Sequence, residues 1–246
     1  CLALSAACAR ADEFRIASKV FSGSEKTPIA ENLTLFRAGI VYDYLSNPAQ
    51  VAVFDNPHHR FILLDPERKV RTEVPTSEVQ EFVRHLQQLA AGSKNQFLKL
   101  QATQEFEAEL DDKSGRLTVR AGDQLVYRMD TLKAPSAEAA RQYREYSDWY
   151  VRLNAMLNPL GVPPFARMAA NRELIERQLV AKRVELSILG DSLASEHEIT
   201  WKLLPTDNKR IEETDSQLAR FEPVGLDEFR KQAPRTANSG GRKGNK

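Results

Sequence analysis

The chain has 246 residues, and 35 Lys and Arg against 34 Asp and Glu leave a formal net charge of +1. The body, Asp12 to Phe229, is mildly acidic, because Arg230, Lys231, Arg235, Arg242, Lys243 and Lys246 concentrate basic charge in an acid-free tail. This excludes nucleic acid as a partner of the body, since phosphate binding needs a basic face; no run after residue 11 approaches the ~20 apolar residues of a membrane-spanning helix.

Cys1 to Ala11, CLALSAACARA, reads as the apolar part and A-x-A cleavage site of a secretory signal peptide. The expectation is an exported protein, periplasmic or extracellular, beginning at Asp12. Cys8 offers a minority alternative, a lipid anchor after the near-lipobox Leu4-Ser5-Ala6-Ala7. Both cysteines fall in this segment, so the mature domain has neither disulfides nor thiolate chemistry.

Phe14 to Val74 reads as six short strands. They centre on Phe14–Phe21, Asn32–Phe36, Ile40–Tyr44, Val51–Phe54, Phe61–Leu64 and Val70–Val74. Ala38-Gly39, Asn47-Pro48, Asp55-Asn56-Pro57 and Asp65-Pro66 break them. Such short connections predict an antiparallel meander rather than βαβ units. Thr76 or Ser77 opens a helix with Val79, Phe82, Val83, Leu86 and Leu89 at helical spacing, ended by Gly92. Ser93 to Leu100 is ambiguous. A second meander follows at Phe106–Leu110, Leu117–Arg120 and Leu125–Thr131, with apolar residues at a period of two.

Pro135-Ser136 starts a long helix to about Asn158, and Pro159, Gly161, Pro163 and Pro164 stop it. A second helix covers about Phe165 to Gln178. Strands are expected at Leu179–Leu189 and Glu198–Leu204, with a turn at Asp191-Ser192. The remainder is polar, with one short helix at Gly225–Lys231. The predicted organisation is one curved-sheet domain over 12–232, a helical insertion at 136–178 and a disordered basic tail at 233–246.

Few residues carry chemistry. His58 and His59 are adjacent beside Asp55, but neighbours on a strand point to opposite faces; a polar hairpin tip explains them better than a metal site, which needs three or four convergent ligands. No nucleophile elbow or phosphate loop occurs. Glu105, Glu107 and Glu109 read as the solvated face of a strand. No catalytic residue, metal or cofactor is therefore assigned, and the chain is read as a non-enzyme. The candidate ligand-binding residues are Tyr143, Tyr146, Trp149, Tyr150 and Leu153, an aromatic stripe on the long helix that would close one mouth of a cavity. Ordinary helix-on-sheet packing is the competing explanation.

The succession F-R-I-A-S-K-V-F-S-G, E-N-L-T-L-F, V-Y-D-Y-L, V-A-V-F-D, F-I-L-L-D and V-R-T-E-V resembles the opening strands of the periplasmic lipoprotein-carrier (lipoprotein-sorting protein) superfamily. The chain departs from that family in lacking a helix before the first strand and in its long 136–178 insertion. The resemblance implies an α+β fold: a strongly curved antiparallel β-sheet, an unclosed barrel of about eleven strands, with helices covering the concave face. It implies a lipid or acyl chain held in an apolar cavity. The alternative is a cell-envelope protein–protein interaction module with neither ligand nor catalysis. A continuous open cavity favours the first and a filled concave face the second.

Overall fold

Short connections oblige neighbouring strands to pair antiparallel. They do so throughout the computed structural model, which describes residues 12–231 apart from 24, 104, 160, 189 and 190. The segment 1–11 and the tail 233–246 lie outside the described residues. The first meander is β1 (Phe14–Ser22), β2 (Ala30–Arg37), β3 (Ile40–Ser46), β4 (Ala49–Asp55), β5 (Arg60–Asp65) and β6 (Val70–Pro75). Two helices follow, α1 (Thr76–Ala91) and α2 (Gln96–Thr103). Next come β7 (Glu107–Asp111), β8 (Arg116–Ala121) and β9 (Gln124–Lys133). The pair α3 (Ala137–Leu157) and α4 (Phe165–Glu176) precedes β10 (Leu179–Ile188) and β11 (Asp191–Thr200), and the chain ends with α5 (Pro205–Arg220), β12 (Glu222–Pro223) and α6 (Leu226–Lys231).

All the strands form one sheet in the order β12-β6-β5-β4-β3-β2-β1-β11-β10-β9-β8-β7. The first meander grows outward from β1 on one side. The later strands grow back toward it, until β11 pairs with β1 from Arg15↔Thr200 to Ser22↔Leu193. Only β12 on β6 is parallel. The class is as expected: α+β, a mostly antiparallel curved sheet not closed into a barrel, with helices on its concave face. The Ala38-Gly39 turn has φ of 52° and 80°, the left-handed pair that a two-residue hairpin needs and that glycine adopts without strain.

The C-terminal third departs from expectation. β11 starts at Asp191, where a turn was expected, and ends before Trp201. Residues 205–220, read as polar remainder, form the sixteen-residue helix α5. Its apolar residues are few, but Ile211 and Leu218, with Phe221 just beyond, keep helical spacing on the face where Asp207, Ile211 and Thr214 are buried. Asp207 accepts the Leu204 N–H at 2.8 Å, which starts the helix, and takes Arg15 Nη1 of β1 at 3.2 Å.

α5 lies on the face of the sheet opposite α3. Ile211 packs there among Leu35, Tyr42, Val51, Val53, Ile62 and Leu64. The Tyr42 hydroxyl donates to Asp215 at 3.0 Å, and the Tyr44 and Thr214 hydroxyls lie 3.0 Å apart. The larger core fills the concave face with Phe14, Ile16, Phe36, Phe54, Phe61 and Leu63, under Tyr143, Tyr146 and Leu153 of α3 and Ala166, Ala170 and Leu174 of α4. β5 is thus buried on both sides, with Phe61, Ile62, Leu63 and Leu64 each at most 6% exposed. That is why its sequence is a continuous apolar run rather than an alternation.

Ile211→Ala is expected to destabilise the protein by about 2–5 kcal/mol through the cavity it leaves between α5 and the sheet. Urea unfolding measures this, and a change within about 0.5 kcal/mol, as for an ordinary surface position, would mean that α5 does not seal this face.

Candidate functional site

The aromatic stripe of α3 is built as its sequence suggests. Ser136 is the N-cap and accepts the Ala139 N–H at 2.9 Å. From there Tyr143, Tyr146 and Leu153 fall on the buried face, and Trp149 and Tyr150 are partly buried beside them. The Tyr146 ring meets Phe36 edge-on at 5.6 Å and Phe54 at 6.3 Å; Trp149 lies 6.4 Å from Phe54, and Tyr150 5.4 Å from Tyr146. Phe14 stacks on Phe36 at 4.0 Å and takes Trp201 at 5.3 Å. All five stripe residues therefore come together over the concave face, and they fill it with rings.

Two depressions are best formed among the described residues, and no α3 residue lines either. One lies on the outer side of α1 around Phe82 and His85. The other is a groove of about 720 Å³ over the central strands on the side of α5, beside Arg15, Lys19, Glu31, Tyr44 and Arg210.

Beneath α3 the concave face carries a row of polar side chains that sequence reading missed. Strand register sets it. Ser18 of β1 faces His197 of β11 on one side and Asn32 of β2 on the other, while Thr34 faces Asp43 of β3. Ser18 Oγ is 2.8 Å from His197 Nδ1, and Ser195 Oγ is 3.1 Å from Nε2. Thr34 Oγ1 and Asn32 Nδ2 both donate to Asp43 Oδ1, at 2.6 and 2.7 Å. The Tyr150 and Tyr146 hydroxyls both lie close enough to the same carboxylate to feel its charge. The buried Tyr146 hydroxyl makes no hydrogen bond of ordinary geometry. Ser18, Thr34 and Asp43 are each no more than 6% exposed.

Burial raises the Asp43 pKa, with the hydrogen bonds only partly opposing it. Burial also pushes the His197 imidazole down to about 4, helped by the nearby positive charge of Arg167. His197 is thus neutral at pH 7. Ser18 and His197 have the contact of a nucleophile and a base, but a second serine occupies the other ring nitrogen where a triad needs a carboxylate to orient the ring.

Beyond this row, toward the far ends of the strands, the same face is apolar again. Val20, Leu45, Leu186 and Leu193 share the parity of the row residues and are only partly buried. Val20, Leu45 and Leu193 belong to neither core cluster. The concave face therefore reads, along its strands, as packed aromatic core, polar row and partly buried apolar apron.

Elsewhere the sequence candidates separate. His58 sits on a 3-10 turn (Asn56–His58) with Nδ1 2.8 Å from its neighbour Asp55, and His59 is left-handed at φ 53°. His85 lies exposed on α1. Among the described residues no group of three or more His, Cys, Asp or Glu is placed to hold a metal ion. Glu107 and Glu109 line the exposed face of β7, as expected. One signal for the polar row was present. Asp43 interrupts the apolar run Ile40–Tyr44, and a carboxylate inside a strand buried on both faces has to face other polar groups.

Two pH effects of opposite sign follow. In the unfolded chain His197 takes a proton near 6.5, but in the folded protein only near 4. Its contribution is therefore complete above pH 6.5 and is lost as the pH falls, by on the order of 3 kcal/mol at pH 4. His197→Gln is expected to flatten that part of the stability profile. Asp43 acts the other way, because the folded state binds its proton first. Wild type should gain stability relative to Asp43→Asn as the pH drops toward the ordinary carboxylate range. Urea unfolding between neutrality and pH 4.5 checks both, and differences from wild type that stay constant with pH would contradict them. No protein-family model matches the chain, and no curated protein matches it.

Proposed function

We propose that this protein is an exported carrier of an apolar ligand, a lipid or an acyl chain, described here in a closed state with α3 resting on its concave face. The observation that carries this reading is the apolar apron of Val20, Leu45, Leu186 and Leu193, partly buried at the end of the concave face and continuous with the polar row. Three of these side chains join neither core cluster, so a bound hydrocarbon chain has apolar surface there to cover. A ligand chain laid there and extended beneath α3 gains ~0.8 kcal/mol per buried CH₂, so about a dozen carbons offset the lower estimates of the association cost. The reading agrees with the family resemblance of the first six strands and with the export expected from residues 1–11, which would place the protein in the periplasm or outside the cell. It calls for no cofactor and no catalytic step.

The filled concave face favours a second reading, an envelope protein–protein interaction module whose aromatic helix is plain core. The two differ in a simple measurement. A carrier yields lipid in an organic extract analysed by mass spectrometry and takes up a fluorescent fatty acid saturably; an interaction module does neither. Leu193→Asp tests the apron itself. It is expected to weaken uptake by about tenfold or more, a loss of ~1.4 kcal/mol, with a circular dichroism spectrum matching wild type showing that the fold is kept. Uptake unaffected by this change would remove the apron from the ligand path.

A further inference from the structure

Among the described residues, Arg167 is one of the few partly buried arginines that no carboxylate meets, with Arg37 and with Arg152, which lies over the Trp149 ring. Arg15 pairs with Asp207, Arg60 with Asp55 and Arg68 with Asp65, each within 3.2 Å. Arg167, in the first turn of α4, has no carboxylate within 4.0 Å among the described residues. Its Nη2 donates to the Tyr143 hydroxyl at 3.1 Å, and its Nε to Asn171 Oδ1 at 3.0 Å. Asn171 is fully buried and hands the contact on, donating to Asp148 at 2.8 Å. Asp148 is in turn paired with Arg144 at 3.2 Å. The nearest acid in this chain of contacts is therefore engaged elsewhere. A guanidinium carries five N–H donors. Two are used here, both on neutral oxygens, so the charge is fixed in place but not neutralised. Holding a half-buried cation this way is unfavourable unless something else meets it.

Its position says what that is. α4 packs on β8, β9 and β10. The charge of Arg167 is felt by Tyr127 of β9 and by His197 of β11. Tyr127 is in register with Leu186, and Leu186 with Leu193, so this strip runs from Arg167 into the apolar apron. Ser195 and His197 continue on the same face of β11 and end in the Ser18 hydroxyl. A fixed cation, two hydroxyls and an uncharged imidazole thus border one edge of a partly buried apolar surface. Asp43, the one carboxylate of the row, is sealed at its other end.

We infer that this edge of the concave face recognises an anionic headgroup, a carboxylate or a phosphate, through Arg167, with the attached hydrocarbon chain lying on the apron. The inference rests on the carrier reading above and narrows it to single-chain anionic amphiphiles. The guanidinium fork matches either oxyanion with paired N–H donors. An ammonium head is repelled and an uncharged head gains nothing.

The test uses a dansyl-labelled undecanoic acid and its methyl ester, titrated separately into the purified full chain. The acid should bind about tenfold or more tightly than the ester, the ~1.4 kcal/mol of a charge-assisted contact. Arg167→Gln should bring the acid down to the ester while leaving the ester unchanged, and Arg167→Lys should keep much of the preference. Laurate, dodecyl phosphate, dodecanol and dodecylamine then compete for the bound acid. Displacement by laurate, by dodecyl phosphate or by both supports the inference and says which head is preferred. Equal affinity for acid and ester, equal displacement by the amine or alcohol, or an Arg167→Gln change that weakens both probes alike overturns the inference and leaves the carrier reading standing. Saturable binding of neither probe overturns both.

Discussion

The structure depends on one constraint: the strands from β2 to β5 are covered on both faces. α3 lies on one side of them and α5 on the other, so side chains of both parities must be buried. Phe36 goes to the concave core and Leu35 to the opposite cluster; Phe61 and Leu63 go one way, Ile62 and Leu64 the other. A sheet covered on one side can discard water through alternate residues only. Here a polar group in the covered part of these strands needs a partner. Hence Asp43 sits in a hydrogen-bonded cluster, Asp55 is held by Arg60 and His58, and Asp65 by Arg68. The remote strands β7 to β9 escape the constraint on their outer face. There Arg116–Asp130 and Arg128–Glu185 pairs lie in water.

Most of the fold was legible because turns are local. Asn-Pro, Asp-Pro and Ala-Gly breaks fix hairpins without reference to the rest of the chain, and Ser136 with the prolines after Asn158 brackets α3. α5 was not legible for the opposite reason. It is anchored by three buried side chains, two of them polar, and although Ile211, Leu218 and Phe221 keep helical spacing, the low hydropathy of the stretch masks it. Its existence was nonetheless implied at a distance. The unbroken Phe61–Leu64 run requires a cover on each face, and only the polar C-terminal third was left to supply one. The polar row was hidden by a similar ambiguity. In Asn32–Phe36 alternation is plain, but it does not say which parity faces α3. The leucines point to α5, and the face toward α3 receives Asn32, Thr34 and Phe36.

The aromatic stripe illustrates the limit of a pattern. Tyr143, Tyr146, Trp149, Tyr150 and Leu153 do gather over the concave face, as their spacing indicates, but spacing cannot distinguish rings that line a space from rings that occupy it. Their packing also has a balance of its own. Lifting α3 exposes apolar rings, at roughly 1.5–3 kcal/mol for each fully buried side chain. The same movement returns water to the Asp43 carboxylate and to the buried Tyr146 hydroxyl, which offsets part of that loss. A contact surface that is apolar at its rim and polar beneath its centre is thus less strongly adhesive than its area suggests.

The pairing of β1 with β11 has a consequence for the order in which the molecule is made. β1 is the first strand among the described residues, yet it becomes an interior strand only when a partner about 180 residues later arrives. Until then the N-terminal meander has an open edge at β1 and, lacking α5, an uncovered apolar face. Contacts so distant in sequence slow folding, because loop closure precedes the reward. The meander is therefore left unfinished until β11 and α5, over residues 191–220, supply its missing neighbour strand and its second cover.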